Sequence, residues 1–266
     1  MIISVAGEPT FISTGGQEID AAKPAVMLLH GAGLDHSVWT LQARYLAHHG
    51  RSVIVPDLPG HGRSGGAALD TVPALADWCW HLLEQLDLRR VSLAGHSLGG
   101  LIALTMAAAR PDAMRSLLLL GVAAEMPVHP DLLAAARDDR DLAAALIAMW
   151  GFGRSGQIGG NVAPGLQMRI AGQRLLERAK PGVLAADLTA CAAYRDGVAA
   201  AAALRCPTAL LLGLEDRMTP ASKGKHLAAQ MKDVPDGAGI TILPGCGHMI
   251  MAERPNDTIA VMKRVL

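Results

Sequence analysis

The chain alternates short, uniformly apolar runs with longer segments in which apolar residues recur every three or four positions. Val38, Leu41 and Tyr45 illustrate the helical spacing, which residues 71–86 repeat. An apolar run of four or five residues that enters a loop containing Gly or Pro is typical of a buried strand. The runs that predict strands are 25–29, 52–55, 91–94, 117–120, 209–212 and 240–243.

Helical segments separate these strands, which favours an α/β fold with a parallel sheet covered by helices on both faces. Further helices are predicted from residue 97 to about 109, over 221–231 and from about residue 256. In such a sheet, ligand sites lie beyond the carboxyl ends of the strands. The loops at these ends are therefore where we expect the chemistry.

The alternation stops between residues 122 and 203, where the pattern is mainly helical. Helices are predicted at 131–150, 166–179 and 183–194, separated by stretches that contain Gly and Pro. Because strands resume only at Ala209, we predict a core made of residues 1–121 and 204–266. Residues 122–203 are predicted to form a helical cap over the carboxyl edge of the sheet.

Composition and charge narrow the possible partners. Hydrophobic residues make up 51% of the chain and charged residues 18%, which is enough apolar material for a large core. The formal net charge is +0, so no basic field is present to attract nucleic acid or an anionic membrane surface. The apolar runs are too short to span a bilayer. We expect a small-molecule substrate and no nucleic-acid or membrane partner; the oligomeric state stays open.

The cysteines and the amino terminus indicate a location. Cys79, Cys191, Cys206 and Cys246 have no CxxC spacing, which fits buried thiols better than disulfides or a zinc site. The amino-terminal segment lacks a basic region, and Glu8 interrupts its apolar run, so no secretion signal is expected. The sequence therefore predicts a cytoplasmic protein.

Ser97 is the candidate nucleophile. It is the central residue of a G-x-S-x-G motif, Gly95 to Gly99, which follows a predicted strand and precedes a predicted helix. The two glycines permit a tight strand-to-helix turn that exposes the serine hydroxyl. The alternative is a Gly-rich turn with a purely structural role.

His248 is the candidate general base among the ten histidines. A serine hydroxyl is a poor nucleophile near neutral pH, and histidine has the pKa to accept its proton. His248 follows the last predicted strand in the segment Pro244 to His248, at the same edge of the sheet as Ser97. His30 and His61 also lie in loops at this edge, where we expect structural hydrogen bonds.

Asp216 is the candidate acid that orients the histidine. A triad needs a rigid carboxylate to fix the histidine tautomer and stabilise the imidazolium. Asp216 follows the strand predicted at 209–212, which gives the chain order Ser, Asp, His. Glu215 is the local alternative, and a helix-capping role for Asp216 is a further one.

Two backbone amides are candidates for an oxyanion hole. One is the N–H of Leu98, directly after the nucleophile; the other is the N–H of Ala32, in the loop after the strand 25–29. Gly33 is the alternative donor in that loop. An ordinary glycine turn remains an alternative for the loop as a whole.

One motif in the cap region imitates a nucleotide site. Residues 151–156 satisfy G-x-G-x-x-G, but they follow a helical pattern instead of a strand. The dinucleotide fingerprint requires a preceding strand. We therefore expect no nucleotide site there.

Together, residues 30–33, 57–64, 95–100, Asp216 and 247–248 resemble the α/β-hydrolase superfamily over nearly the whole chain. The resemblance implies an eight-stranded, mostly parallel sheet with a cap after the sixth strand. It also implies hydrolysis of an ester, lactone or carbon–carbon bond without a metal or cofactor. Serine at the nucleophile position differs from the dehalogenase and epoxide-hydrolase branches, which carry aspartate.

Among the branches, the turn 216–220 looks like that of enol-lactone hydrolases and small-molecule carboxylesterases. A small ester or lactone is therefore the first expectation. Carbon–carbon bond hydrolases of the meta-cleavage type resemble the chain less, because Leu34 and Met249 stand where they usually carry glycine-rich sequence and tryptophan. A non-catalytic ligand receptor and a cofactor-free oxygenase or perhydrolase are the remaining alternatives on this scaffold.

Large apolar residues of the predicted cap are the candidates for the wall of the substrate pocket. They are Met149, Trp150, Phe152, Met168 and Tyr194. Aromatic residues are only 3% of the chain, which favours a small, enclosed substrate over a polymer.

Overall fold

The computed structural model describes residues 1–160 and 167–266. Within them one eight-stranded sheet has the order β1-β2-β4-β3-β5-β6-β7-β8. The strands are β1 Ile2–Val5, β2 Glu8–Ser13, β3 Ala25–Leu29, β4 Ser52–Pro56, β5 Val91–His96, β6 Met114–Leu120, β7 Thr208–Gly213 and β8 Gly239–Leu243. The antiparallel hairpin β1–β2 forms one edge and pairs with β4, and β3 to β8 are parallel to one another. The predicted eight-stranded, mostly parallel sheet is thereby confirmed.

The register of the parallel strands brings their carboxyl ends to one level. Leu29 at the end of β3 pairs with Gly95 of β5, and His96 pairs with Leu120 of β6. Gly213 at the end of β7 pairs with Leu243 of β8. The loops after β3, β5, β6, β7 and β8 therefore begin at one edge of the sheet, as the sequence pattern predicted.

Helices cover both faces of the sheet because alternate strand residues point to opposite sides. The core helices are α1 Thr40–His48, α2 Val72–Gln85, α3 Leu98–Ala109, α10 Ala221–Ala228, α11 Ile250–Glu253 and α12 Pro255–Val265. Met27 and Leu29 pack with helices α2 and α3 in the larger core, whereas Val26 and Leu28 pack with α1 and α12 in the other. No helix in the described part of the chain combines the length and hydropathy that crossing a bilayer requires.

In the described residues, the regular elements between β6 and β7 are all helices, and we call this segment, residues 121–160 and 167–207, the insertion. Its helices are α4 Pro130–Asp138, α5 Arg140–Gly151, α6 Arg154–Gln157, α7 Met168–Glu177, α8 Val183–Ala193 and α9 Gly197–Ala203. Helices α4, α5, α7 and α8 share a small apolar core with Leu34 of the loop after β3 and Met249 of the loop after β8, whereas α9 packs in the larger core. The insertion is therefore packed on the edge where the predicted site lies.

Helix boundaries differ from the prediction in this segment. The prediction of a single helix at 131–150 is wrong. The helix is interrupted at Asp139, whose carboxylate accepts the Leu142 N–H at 3.0 Å and caps α5. The helix predicted at 166–179 is α7, although Leu166 lies outside the described residues. All four cysteines are buried free thiols.

Candidate active site

Ser97 occupies a strained turn between β5 and α3. Its backbone lies at φ 53° and ψ −118°, in a region that a non-glycine residue rarely adopts. A Cβ at Gly95 would overlap the Gly99 carbonyl, and one at Gly99 would overlap the Leu29 carbonyl. The two motif glycines are thus required by close backbone approach. The turn leaves the Ser97 side chain facing a cavity while the residue is 8% exposed.

His248 and Asp216 form a buried pair at the same edge. His248 Nδ1 and Asp216 Oδ2 are 2.7 Å apart. The other carboxylate oxygen of Asp216 accepts the Met218 and Thr219 amides at 2.9 and 2.7 Å, which fixes the carboxylate in place. Because an ionised carboxylate only accepts, Nδ1 carries the proton and neutral His248 has a free lone pair on Nε2. His248 lines the same cavity as Ser97.

Gly121, directly after β6, is packed against this pair. Its φ is +59°, and a Cβ there would lie 3.1 Å from His248 Nδ1 and 3.4 Å from Asp216 Oδ2. A side chain at this position would therefore be both strained and pressed onto the pair.

The loop that carries His248, residues 244–249, is held by groups that the sequence reasoning missed. His96 Nε2 donates to the His248 carbonyl at 2.9 Å, and the His248 N–H donates to the Gly151 carbonyl at 2.7 Å. Buried Glu253 accepts the Gly247 and Gly153 amides at 3.0 and 2.8 Å. His96 stands beside the nucleophile in the motif, whereas no local signal indicates Glu253.

Burial shifts the pKa values of both supporting groups. Burial, with His248 nearby, lowers the pKa of His96 well below its usual range, so the ring is neutral. Its Nδ1 has no hydrogen-bond partner among the described residues. Burial raises the pKa of Glu253, and the backbone amides that it accepts oppose this shift.

The G-x-G-x-x-G segment at 151–156 follows a helix, not a strand, and its glycines serve close packing. Gly151 ends α5, and a Cβ at Gly153 would lie 2.9 Å from the Gly247 amide. The segment therefore lets the backbone of the insertion approach the His248 loop closely.

The loop after β3, residues 30–34, lies against the nucleophile, and we call it the β3 loop. A Cβ at Gly31 would come within 3.3 Å of Ser97 Cβ. In the described part of the chain, neither the Ala32 N–H nor the Leu98 N–H donates to another protein group. The Gly33 N–H, the alternative donor, is bonded to Asp187 Oδ2 at 2.8 Å. Two unused amides thus flank Ser97.

A cavity of about 300 Å³ opens at Ser97 between the sheet edge and the insertion. Its wall is mostly apolar, and Arg217 and His129 supply its basic side chains besides the site histidines. The lining residues are Ala32, Leu34, His96, Ser97, Met126, Pro127, Val128, His129, Leu132, Ile147, Trp150, Leu188, Cys191, Arg217, Met218, Thr219, His248 and Met249.

Of the five apolar residues predicted for this wall, the structure places Trp150 in it. Met149 points outward and is 44% exposed, while Phe152 is buried in the core of the insertion. Met168 borders a separate small cleft beside Glu253, and the Tyr194 hydroxyl is bonded to Thr105 at 2.9 Å. The helix faces that meet the sheet edge decide the lining, and residue size alone did not identify them.

One group of side chains has the spacing of a metal site. Asp35, His36 and Asp57 lie close together, but their atoms are engaged in bracing loops. Asp57 Oδ1 accepts from His36 Nδ1 at 2.8 Å, Asp57 Oδ2 accepts the Arg63 amide at 2.8 Å, and Asp35 caps the next turn. The expectation that the protein uses no metal or cofactor stays a prediction.

Comparison with known proteins identifies the family of this chain. A model of the alpha/beta hydrolase family matches residues 26–261. A pimeloyl-[acyl-carrier protein] methyl ester esterase of Aromatoleum aromaticum is 29% identical over 262 residues, which covers 92% of this chain and 98% of that protein. An (E)-2-((N-methylformamido)methylene)succinate hydrolase of Acinetobacter baylyi is 36% identical over 96 residues, 36% of each protein.

Solved structures with the same fold include an enol-lactonase of Burkholderia xenovorans, with a TM-score of 0.85 and 20% identity over 99% of this chain and 98% of that one. A thermophilic esterase of Thermogutta terrifontis has a TM-score of 0.83 and 22% identity over 99% and 96% of the two chains. Since the family model spans nearly all of the sequence, the chain belongs to the alpha/beta hydrolase family and is a hydrolase.

Proposed function

We propose that this enzyme hydrolyses small carboxylic esters or lactones, with Ser97 as nucleophile, His248 as general base and Asp216 as the orienting acid. The observation that carries the proposal is the cavity into which both Ser97 and His248 open, with His248 Nδ1 bonded to Asp216 behind it. The tautomer fixed by Asp216 leaves the Nε2 lone pair available to a proton on the cavity side.

The reaction follows from these positions. His248 Nε2 takes the Ser97 hydroxyl proton as Oγ bonds to the carbonyl carbon, and the Ala32 and Leu98 amides donate to the oxyanion. The intermediate collapses, the bond to the leaving oxygen breaks, and His248 returns its proton to that oxygen. Water, deprotonated by His248, then attacks the acyl-enzyme and releases the acid and Ser97.

The cavity argues for the size and kind of substrate. A volume of about 300 Å³ with mostly apolar walls suits a short or medium acyl group better than a polymer. The relatives that are esterases or enol-lactonases support the same choice. We propose further that residues 122–203 form a cap over the site and that Trp150 is part of the substrate pocket.

The free thiols support a cytoplasmic location as part of the proposal. The formal net charge of +0 supports a small molecule, and not nucleic acid, as the partner.

The test is intact-mass measurement after treatment with a fluorophosphonate, on wild type, Ser97→Ala and His248→Ala. Ser155→Ala is the matched control, because Ser155 lies in the insertion outside the cavity wall. We expect one adduct on wild type and on Ser155→Ala, and none on the other two variants. Wild type is then assayed on short-chain p-nitrophenyl esters and simple lactones.

Other results would point elsewhere. Folded wild type without an adduct contradicts the assignment of Ser97. An adduct without ester or lactone turnover favours a carbon–carbon bond substrate, and ligand recovered uncleaved favours a receptor. Oxygen uptake or dependence on peroxide favours oxygenase or perhydrolase chemistry.

A further inference from the structure

A second buried histidine–aspartate pair joins the insertion to two loops of the core. Asp187, on α8, is fully buried. Its Oδ2 accepts from the Gly33 amide of the β3 loop at 2.8 Å and from His61 Nε2 at 2.8 Å. Its Oδ1 has no hydrogen-bond partner among the described residues. One carboxylate oxygen thus holds the β3 loop and the loop after β4 together.

Hydrogen-bond geometry fixes the charge of this pair. His61 Nδ1 is 3.0 Å from the Pro59 carbonyl, and Nε2 faces the Asp187 carboxylate. Both partners accept, so the imidazolium, with a proton on each ring nitrogen, is the form of His61 that satisfies both bonds. Burial lowers the pKa of His61, but the Asp187 carboxylate and the hydrogen bonds outweigh it and raise the pKa overall.

The neighbouring His30 has the opposite state. Its ring lies 4.9 Å from that of His61. His30 Nδ1 donates to the Gly31 carbonyl, and Nε2 accepts the Leu58 amide. Burial, with the His61 charge nearby, lowers the pKa of His30 to about 4. The positive charge beside Asp187 is therefore on His61.

The insertion also sets the position of Gly33 by packing. Gly33 has φ +66°, and a Cβ there would lie 2.8 Å from Leu184 Cδ1 and 3.1 Å from Leu176 Cδ2. No side chain fits between the β3 loop and α7 or α8, so the loop backbone rests directly on the insertion. The Asp187 bond is the polar anchor within that contact.

We propose that Asp187 is a positioning residue for hydrolysis: by holding the Gly33 amide it fixes the preceding Ala32 amide where the oxyanion forms. The inference rests on the proposed function. The Gly33 N–H lies in the peptide plane that starts at the Ala32 Cα, so holding it restrains rotation at Ala32 and thereby the preceding plane, which carries the Ala32 N–H. Such restraint matters because a catalytic group must be held within about 0.5 Å of its productive position. Leu188 and Cys191 of the same helix line the cavity, so α8 contacts both the substrate space and the β3 loop.

The experiment compares Asp187→Leu with Asp187→Asn. Leucine has no acceptor for Gly33, whereas asparagine can keep one oxygen in the place of Oδ2. Tyr194→Phe is the matched control, because it removes another bond from the end of α8 to the core, the one to Thr105. Ser97→Ala is run alongside. The readouts are the second-order rate of Ser97 phosphonylation by a fluorophosphonate, and kcat and KM for p-nitrophenyl butyrate.

Removing one oxyanion donor lowers kcat by about 10²–10³-fold. Because Asp187→Leu displaces the donor without removing it, we expect a loss of about 10–100-fold in kcat and in phosphonylation rate, with KM within about threefold. Asp187→Asn recovers most of the loss, and Tyr194→Phe stays near wild type. Should Asp187→Leu fail to fold by circular dichroism, Asp187→Ala replaces it, with and without formate, which we expect to restore the rate.

Two results overturn the inference. The first is that Asp187→Leu, or Asp187→Ala without formate, has the same kcat and phosphonylation rate as Tyr194→Phe. The second is that Asp187→Leu and Asp187→Asn lose kcat and phosphonylation rate to the same extent, or that formate does not restore them in Asp187→Ala. If Ser97→Ala is still labelled and still turns over the ester as wild type does, the proposed function itself is contradicted. Failure of the proposed function can therefore be distinguished from failure of the inference about Asp187.

Discussion

The two buried histidine–aspartate pairs of this enzyme have nearly the same geometry and different surroundings. The nitrogen–oxygen distance is 2.7 Å for His248–Asp216 and 2.8 Å for His61–Asp187, and all four side chains are at most 2% exposed. The difference is the second ring nitrogen. In His248 it belongs to a ring that lines the cavity, whereas in His61 it is bonded to the Pro59 carbonyl.

A close, buried histidine–aspartate pair does not by itself make a general base. In neutral His248 the proton lies on Nδ1 beside Asp216, so Nε2 has a lone pair that can accept a proton. His61 donates through both nitrogens and has no lone pair to offer. The same residue types thus give proton transfer in one place and a rigid junction in the other.

The two pairs are distinguished most clearly by removing the histidine side chain of each pair in turn and measuring kcat. We expect His248→Ala to lower kcat on a p-nitrophenyl ester by about 10⁵-fold, since loss of a triad histidine removes most of the acceleration. Its melting temperature falls less than that of His61→Ala, because Asp216 keeps the Met218 and Thr219 amides as partners. Exposed His81→Ala is the control with unchanged kcat. A His248→Ala enzyme that keeps a tenth of the activity would contradict the assignment.

Removing His61 affects stability most. His61→Ala leaves the Asp187 carboxylate buried without its counter-ion, and we expect the free energy of unfolding to fall by about 3–5 kcal/mol. Urea denaturation measures this, with exposed His226→Ala as the control. On the same scale of ion-pair energies, a decrease of less than about 1 kcal/mol in the free energy of unfolding would show that the pair does not hold the two loops together strongly.

The support of the His248 loop differs from that of the β3 loop and can be tested at Glu253. Glu253→Gln leaves one acceptor oxygen for two amides, so we expect about 1–3 kcal/mol less stability and a lower kcat. Glu215→Gln is the matched control: Glu215 accepts the Arg154 amide of the same segment but is partly exposed. Equal effects in the two variants would refute a special role for Glu253. Full activity of Glu215→Gln also excludes Glu215 as the triad acid.

The smallest effect concerns pH. Because the pKa of His61 is raised in the folded state above 6.5, its contribution to stability is complete below that pH and is lost as pH rises through the raised pKa. One proton changes the free energy of unfolding by at most about 1.4 kcal/mol per pH unit. We expect urea unfolding between about pH 6 and 9 to show this decline in wild type. A decline of equal size in His61→Gln would assign it to another group.

The sequence predicted well those features that depend on local pattern. The strand predicted at 25–29 coincides with β3, because a uniformly apolar run is what a strand buried on both faces requires. Ser97, His248 and Asp216 were found through motif and chain order, since each follows a strand at the same edge. The triad and the oxyanion donors are still proposals as to role.

Features that depend on packing between distant segments escaped the sequence reasoning. Met149 and Trp150 are neighbours on α5, yet only Trp150 lines the cavity, because the rotation of the helix decides which face meets the sheet edge. Asp187 left a readable signal, as the one carboxylate in the helix Val183–Ala193, which is otherwise apolar except for Thr189. Its partners, Gly33 and His61, could not be read from the pattern of that helix.

Sequence separation gives the Asp187 contacts a kinetic consequence. Gly33 and His61 lie 154 and 126 residues from Asp187 along the chain. Long loops are closed late in folding, because their entropy must be lost before the contact forms. After dilution from denaturant, the sheet can therefore regain its circular dichroism before the insertion docks. Competence for phosphonylation should return last, with the rate of that docking step.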